Sequence, residues 1–245
     1  MAINTFPLIL DSAFMLTPKV KHFVFRHESP EEFIYRPGQF ITLHFENANK
    51  PLRRSYSIAN VPSQHNRIEI AASFIEGGPG STLLFHLKPG EVIQASGPYG
   101  RLVLKDSPLH KRAILIATST GVTPYRAMIG ELIQRMESDS AFHVVLLEGI
   151  QKHADILYNA EFTTLAEQYP RFLFRACLSR ENKTDVCANE IAGHVQDAFP
   201  DLNLNPENDI IYLCGNPSMI DEAFEQLKEK GFPMQHIIRE KYISR

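Results

Sequence analysis

The sequence predicts two successive domains, an antiparallel β barrel over residues 1–106 and a doubly wound parallel α/β sheet over residues 107–245. Three observations carry this reading. The first hundred residues hold short apolar or alternating runs separated by turn-rich stretches. From Lys111 onward, apolar strands alternate with segments of helical periodicity. Between them lies the polar, Pro-containing stretch Lys105-Asp106-Ser107-Pro108-Leu109-His110, the natural linker. Short strands at regular spacing favour a closed or nearly closed barrel, and strands alternating with helices favour a parallel sheet.

In the first half the expected strands are Val20–Arg26, Phe40–Phe45, Ser55–Ala59, Arg67–Phe74 and Glu91–Ala95. Pro37-Gly38, Glu46–Lys50 and Gly77-Gly78-Pro79-Gly80 supply the turns between them. In the second half, strands are expected at Ala113–Ala117, Val144–Leu147, Phe172–Leu178 and Ile210–Cys214, with a last one beginning at Ile237-Ile238. Helices are expected at Tyr125–Met136, Asp155–Glu167, Ala188–Ala198 and Met219–Lys230, the last closed by Gly231. Open α/β sheets bind ligands beyond the carboxyl ends of their strands, where the strand order reverses.

At 245 residues the chain is long enough for one large domain or two small ones, at roughly 100–200 residues each. Lys+Arg 25 against Asp+Glu 28 gives a net charge of −3, which leaves no bulk positive field for nucleic acid. Three cysteines cannot form a fully paired disulfide framework, and they fall short of the four thiolates of an ordinary iron–sulfur cluster. No apolar run approaches the ~18 residues of a membrane-spanning helix. The first residues lack a basic segment, and Asp11 interrupts their apolar stretch, so no secretory leader is expected. A reducing, cytoplasmic setting suits the unpaired cysteines. The ten histidines show no metal-ligand spacing such as His-Glu-x-x-His.

Four segments carry chemistry. In Arg54-Ser55-Tyr56-Ser57, strand alternation turns Arg54 and Tyr56 to one face and Ser57 to the other, pairing a guanidinium with a phenol ring. In Gly77-Gly78-Pro79-Gly80-Ser81-Thr82, glycines permit close backbone approach to a phosphate, and Ser81 can cap the helix that follows. Ala117-Thr118-Ser119-Thr120-Gly121-Val122-Thr123-Pro124 joins the first strand and helix of the second half, the position of a dinucleotide pyrophosphate, with Pro124 suited to the first helical position. Cys214-Gly215-Asn216-Pro217 follows the fourth strand on the ligand side of the sheet. Each also has an ordinary structural explanation: a barrel strand with a surface Arg, a capped hairpin loop, a strand–helix turn, and a buried thiol beside a turn. The G-x-G-x-x-G pattern of an ordinary Rossmann dehydrogenase is absent.

In their order, Arg54-Ser55-Tyr56-Ser57, Gly80-Ser81-Thr82, Thr120-Gly121-x-x-Pro124 and Cys214-Gly215-Asn216-Pro217-x-Met219 resemble the successive motifs of the ferredoxin–NADP reductase family. Pro37-Gly38-Gln39-Phe40 and Gly97-Pro98-Tyr99-Gly100 are similar to its barrel motifs. The resemblance implies FAD on the barrel and NADPH or NADH on the α/β domain. Arg54 would then pair with the FAD pyrophosphate, with Ser55 in the same motif and with Gly80, Ser81 and Thr82 assisting. Tyr56 would lie against the isoalloxazine and Ser57 near its reactive N5, with Ser73, Phe74 and Ile75 lining the flavin. Thr120, Gly121, Pro124 and Gly215 would receive the coenzyme, and Cys214 would sit beside its nicotinamide. Glu240-Lys241-Tyr242 resembles the family's terminal Glu-x-aromatic, so Tyr242 would cover the flavin, and Glu240, Ser57 and Cys214 would converge at the reacting atoms. Three residues, Ile243-Ser244-Arg245, follow the tyrosine. Ser179-Arg180-Glu181 resembles the segment that grips the 2′-phosphate of NADP. Gln151 and His194 stand where arginines are frequent, Lys152 is adjacent to the first, and Glu181 would repel a phosphate if turned inward.

The resemblance implies hydride transfer between NAD(P)H and flavin N5, then single electrons to a ferredoxin or flavodoxin. Such chemistry asks the protein for orientation and polarity, with reacting atoms about 3–3.5 Å apart. The alternatives are an NAD(P)H-dependent flavin reductase or oxygenase reductase component, which differ only in the acceptor, and a non-catalytic flavin-binding electron-transfer subunit. Arg53, Arg54, Arg101 and Lys105 are candidates for a basic docking patch.

Overall fold

The computed structural model describes residues 4–29, 32–46, 51–62, 66–107, 109–182 and 187–243. Parts of the expected linker (Pro108), of one turn (residues 47–50) and of the tail (Ser244, Arg245) lie outside the described residues. Two compact units emerge: Met1–Leu104 with Thr123–Ile129, and Lys105–Val122 with Gly130–Arg245. No helix among the described residues is long and apolar enough to cross a membrane.

The first unit is a six-stranded antiparallel sheet of β1 (Phe6–Met15), β2 (Val20–His27), β3 (Phe40–Phe45), β4 (Leu52–Ser57), β5 (Arg67–Ser73) and β6 (Val92–Tyr99), in the order β4-β3-β6-β1-β2-β5. It curls until its ends meet, where Ile58, just past β4, bridges Ile70 of β5. Asn60 fastens this seam: its side-chain amide donates to the Arg67 carbonyl at 2.8 Å, and its oxygen accepts the Glu69 N–H at 2.9 Å. Alternation fills the interior, as in β3, whose Ile41, Leu43 and Phe45 are buried while the residues between them are only half-covered. These pack with Leu8, Leu10, Phe23, Phe25, Ile68 and Ile70 in one core. Helix α1 (Pro79–His86) adds Leu84 to it.

Strand β1 escaped the sequence reading. Asp11 falls where the β1–β2 register shifts, between Leu10 and Ser12, so the bulge breaks the alternation that would have marked a strand. The exposed Asp11 instead pairs with Arg26 at 3.4 Å.

The second unit holds β7 (Arg112–Thr118), β8 (His143–Ile150), β9 (Phe172–Leu178), β10 (Glu190–Ala192), β11 (Asp209–Gly215) and β12 (Ile237–Lys241), all parallel, in the order β10-β9-β8-β7-β11-β12. The order reverses between β7 and β11, the switch point of a doubly wound sheet. Helices α2 (Thr123–Ser138), α3 (Asn159–Gln168) and α4 (Pro217–Glu229) connect the strands. In α4, Asn216 accepts the Ser218 N–H at 2.8 Å as N-cap, and Pro217 opens the first turn. Gly231, at φ +86, ends the helix in the left-handed region, as expected. Its face of Met219, Ile220, Ala223, Phe224 and Leu227 is buried on the sheet, each large side chain contributing about 2 kcal/mol.

The expected helix over Ala188–Ala198 is not formed. Its place is taken by the short strand β10, whose Ile191 pairs with Cys177, and by a 3-10 turn at Val195–Ala198. Gly193 between them adopts φ +130, which no helix accommodates. The expected helix over Asp155–Glu167 is divided likewise, into a 3-10 turn at His153–Asp155 and α3. Pro124 occupies the second position of α2 rather than the first.

One charged cluster lies in the barrel wall. The Glu69 carboxylate meets His22 at 3.1 Å, Arg67 at 2.6 Å and Arg126 at 2.9 Å. Burial alone would raise this carboxyl, but the bonds and charges of His22 and Arg126 outweigh it and hold it at about 2, against an ordinary 4.5. A depressed carboxyl stabilises the fold above its unfolded pKa and loses that contribution as pH falls toward its folded one. Glu69→Gln is therefore expected to cost about 2 kcal/mol near neutral pH. In urea unfolding the deficit shrinks between pH 4.5 and pH 2; a deficit independent of pH contradicts the assignment.

Candidate functional site

The first unit gathers its candidate residues at the start of α1. The Gly-rich loop reaches the helix with Gly78 as the N-cap residue and Pro79 in the first turn. Ser81 is therefore not the cap, as the sequence suggested, but lies within the first turn. Its hydroxyl is bonded to the Ile75 and Gly78 carbonyls at 3.0 Å and accepts the Ile75 N–H at 3.1 Å. That three-way bond ties Ser73-Phe74-Ile75 to α1. Thr82 bonds the Gly78 carbonyl at 3.0 Å.

Arg54 lies across this helix start. A Cβ on Gly80 would fall 2.8 Å from the Arg54 Cγ and 3.1 Å from its Nε, so only glycine lets the guanidinium stem pass. A cation beside a helix N-terminus makes an anion cradle that fits a pyrophosphate. Arg54 and Tyr56 stand opposite Leu43 and Ile41 of β3 and share a face. Ser55 faces the other way, its hydroxyl 3.0 Å from that of Thr42. Ser57 is buried. Burial raises the Tyr56 hydroxyl to about 12, although Arg54 pulls it down, so the ring is a neutral phenol at physiological pH. Phe74 and Ile75 are exposed apolar side chains beside the loop, with Phe74 edge-on to Phe85. Apolar surface, a phenol ring and an anion cradle in one unit suit a flavin dinucleotide.

The second unit builds its candidate site at the strand switch point. A Cβ on Gly121 would lie 2.4 Å from the Cys214 carbonyl oxygen, and one on Gly215 would lie 2.4 Å from the Thr118 hydroxyl. Gly215, at φ +120, directs the Asn216 N–H onto that hydroxyl at 2.7 Å. The turns after β7 and β11 thus interlock backbone to backbone. Ser119 takes φ +49 to enter the 3-10 turn Ser119–Val122, in which Thr120 is half-buried and Gly121 buried.

Cys214, Glu240 and Tyr242 converge here. Cys214 is opposite Glu240 in the β11–β12 register, and the Tyr242 N–H donates to the Gly215 carbonyl at 2.8 Å. Burial pushes the Cys214 thiol well above its usual range and the Glu240 charge adds to this, while a hydrogen bond with Tyr242 opposes both. The thiol is held neutral and is no nucleophile. At the far end, the Ser179 N–H bonds the Ile150 carbonyl at 3.0 Å and the Arg180 N–H bonds that of Gln151 at 2.9 Å. Arg180 and Gln151 are thereby neighbours, both exposed. The Glu181 carboxylate is taken by the His153 N–H at 3.4 Å. His194 is exposed, its N–H bonded to Asp197 at 2.7 Å.

Two residues to which the sequence assigned no role of their own belong to this end of the sheet. Thr118 supplies the hydroxyl that locks the two turns. Glu148, fully buried near the carboxyl end of β8, accepts the Leu157 N–H at 3.0 Å, and burial raises its carboxyl well above 4.5. An acid inside Val-Val-Leu-Leu-Glu-Gly-Ile was a legible signal; Thr118 gave none.

Gly121→Ala forces its methyl onto the Cys214 carbonyl. It is expected to destabilise the protein by about 2 kcal/mol, roughly 4–8 °C in Tm. An unchanged thermal midpoint would show that the two turns can part freely.

Comparison with known proteins agrees with this division. Residues 7–104 match the family model described as the oxidoreductase FAD-binding domain, and residues 115–225 match the oxidoreductase NAD-binding domain. Ferredoxin–NADP reductase B of Sorangium cellulosum is 30% identical over 232 residues, 93% of this chain and 93% of that protein. Phenol hydroxylase P5 protein of Acinetobacter pittii is 32% identical over 232 residues, and the match covers 94% of this chain but 63% of the relative. The crystal structure of a ferredoxin NADP+ reductase from Neisseria gonorrhoeae with bound FAD and NADP shares the fold, with a TM-score of 0.84 at 21% identity over 98% of this chain and 99% of that one. With a flavin-type cradle in one unit and an interlocked strand switch point in the other, the chain belongs to the ferredoxin–NADP reductase family of flavin-dependent NAD(P)H oxidoreductases.

Proposed function

We propose that the protein carries reducing equivalents between NAD(P)H and a small ferredoxin- or flavodoxin-type electron carrier, with residues 1–106 holding FAD and residues 107–245 the coenzyme. The observation that carries the reading is Arg54 lying across Gly80 at the start of α1, a cationic cradle for a pyrophosphate. Bound FAD supplies the redox chemistry, taking a hydride and releasing electrons singly. The chain supplies position. Arg54, with Gly80, Ser81 and Thr82 at the start of α1, holds the flavin's phosphates, and Tyr56, Ser57 and the Ser73–Ile75 segment hold its ring. Thr120, Gly121, Pro124 and Gly215 receive the coenzyme's pyrophosphate. Cys214, kept neutral by burial, offers the nicotinamide an uncharged contact, with Glu240 and Tyr242 beside it.

Two features bear on the choice of coenzyme. Arg180 is exposed, and the Glu181 carboxylate beside it is engaged by the His153 N–H, which leaves Arg180 to meet a 2′-phosphate and favours NADPH. The relatives bear on the acceptor: one is a ferredoxin–NADP reductase, 30% identical, and the other a phenol hydroxylase component, 32% identical. That relative keeps an oxygenase-reductase role as the second reading.

Anaerobic stopped-flow mixing of FAD-loaded protein with each coenzyme tests this. NADPH is expected to bleach the flavin faster, and Arg180→Ala to weaken NADPH by roughly 10–100-fold while leaving NADH unchanged. Equal or faster reduction by NADH, indifferent to Arg180→Ala, overturns the NADPH assignment and moves the oxygenase-partner reading ahead. Arg54→Ala is expected to lose FAD on gel filtration, whereas full retention of FAD would remove Arg54 from the cradle.

A further inference from the structure

At the β10 edge of the parallel sheet, next to the Arg180 end of the coenzyme half-site, three side chains of different donor type meet. Glu190, the first residue of β10, has a side chain only 1% exposed. Its two oxygens are both engaged: one lies 2.5 Å from the His153 Nδ1, and the other accepts the Cys187 N–H at 2.8 Å. The His153 Nδ1, the Cys187 Sγ and a Glu190 oxygen all lie within 4.8 Å of one another. Imidazole and thiol are exposed while the carboxylate is not.

We propose that His153, Cys187 and Glu190 form a binding site for a single thiophilic divalent metal ion of the zinc type. The donors select the class. Magnesium and calcium require oxygen ligands, whereas one imidazole, one thiolate and one carboxylate suit zinc, with a water completing the tetrahedron on the exposed side. The geometry needs little adjustment. Bonds of about 2.0–2.3 Å place tetrahedral donors roughly 3.3–3.7 Å apart. The His153–Glu190 contact would open by under ~1 Å as the metal replaces their shared proton, and Cys187 would close by a similar amount. The exposed His153 and Cys187 side chains can make those movements around a carboxylate fixed by burial and by a backbone N–H, the outer-shell support typical of metal sites. His153 opens the 3-10 turn after β8, and Cys187 stands three residues before Glu190, so an ion here would pin two loops distant in sequence. Without metal the group is a hydrogen-bonded His–Glu pair beside an exposed thiol.

The other two cysteines, Cys177 and Cys214, are buried, which makes Cys187 selectively addressable. The FAD-loaded, tag-free protein is alkylated with iodoacetamide, and Cys187 labelling is followed by mass spectrometry with and without one equivalent of Zn²⁺ or Mg²⁺. Zn²⁺ is expected to slow labelling by about tenfold or more, and Mg²⁺ to have no effect. In His153→Gln, a change at an exposed position, the protection is expected to disappear while labelling without metal stays at the wild-type rate. Labelling unaffected by Zn²⁺, or protection that persists in His153→Gln, overturns the site.

Discussion

Gly121 brings the turn after β7 so close to the Cys214 carbonyl that no side chain fits between them, and Gly215 does the same against Thr118. This double approach fixes the carboxyl ends of the two strands at which the sheet reverses its order. From it follow the entry of the chain into the 3-10 turn at Ser119–Val122, the hydrogen bond from Asn216 to Thr118, and the start of α4. It also fixes β12, since the Gly215 carbonyl receives the Tyr242 N–H and so sets where the last strand ends. A binding surface built from main-chain atoms this closely packed is pre-organised: its donors face a ligand without any side chain having to be ordered first.

The first unit solves a different problem with the same economy. A closed sheet has a seam, and a seam made by one β bridge is weak unless side chains reinforce it. Asn60 supplies the missing ladder bonds between the end of β4 and β5, and Glu69, beside it, gathers His22, Arg67 and Arg126 into one network. Arg126 also donates to the Ala59 carbonyl at 3.0 Å, so the charge cluster and the seam are one structure. Buried charge is costly unless paired, and here the pairing falls where the barrel needs fastening.

Strands β3 and β9 could be read to the residue, because one alternates cleanly and the other is an apolar run broken only by Arg175. The glycines of the motifs were legible too, since Gly80, Gly121 and Gly215 stand where another residue's atoms approach the backbone closely. What could not be read depended on distant partners. The alternation of β1 is broken by a bulge whose register is set by β2. The segment Ala188–Ala198 has helical spacing at Ile191, Val195 and Ala198, but pairing of Ile191 with Cys177 and the Gly193 conformation prevail over it. Thr118 looks like any strand-ending threonine until the chain returns 98 residues later to place Asn216 against its hydroxyl.

The short β10 and the charged β12 have a consequence for the protein in concentrated solution. They are the two outer strands of the parallel sheet, the places where a second chain could add a strand. One is only three residues long. The other ends in Arg239-Glu240-Lys241, with Arg239 folded over the Phe224 ring at 3.8 Å and Lys241 paired with Asp221 at 2.6 Å. The barrel, closed by its seam, offers no comparable margin. Each sheet therefore terminates itself, and the fold resists edge-to-edge aggregation.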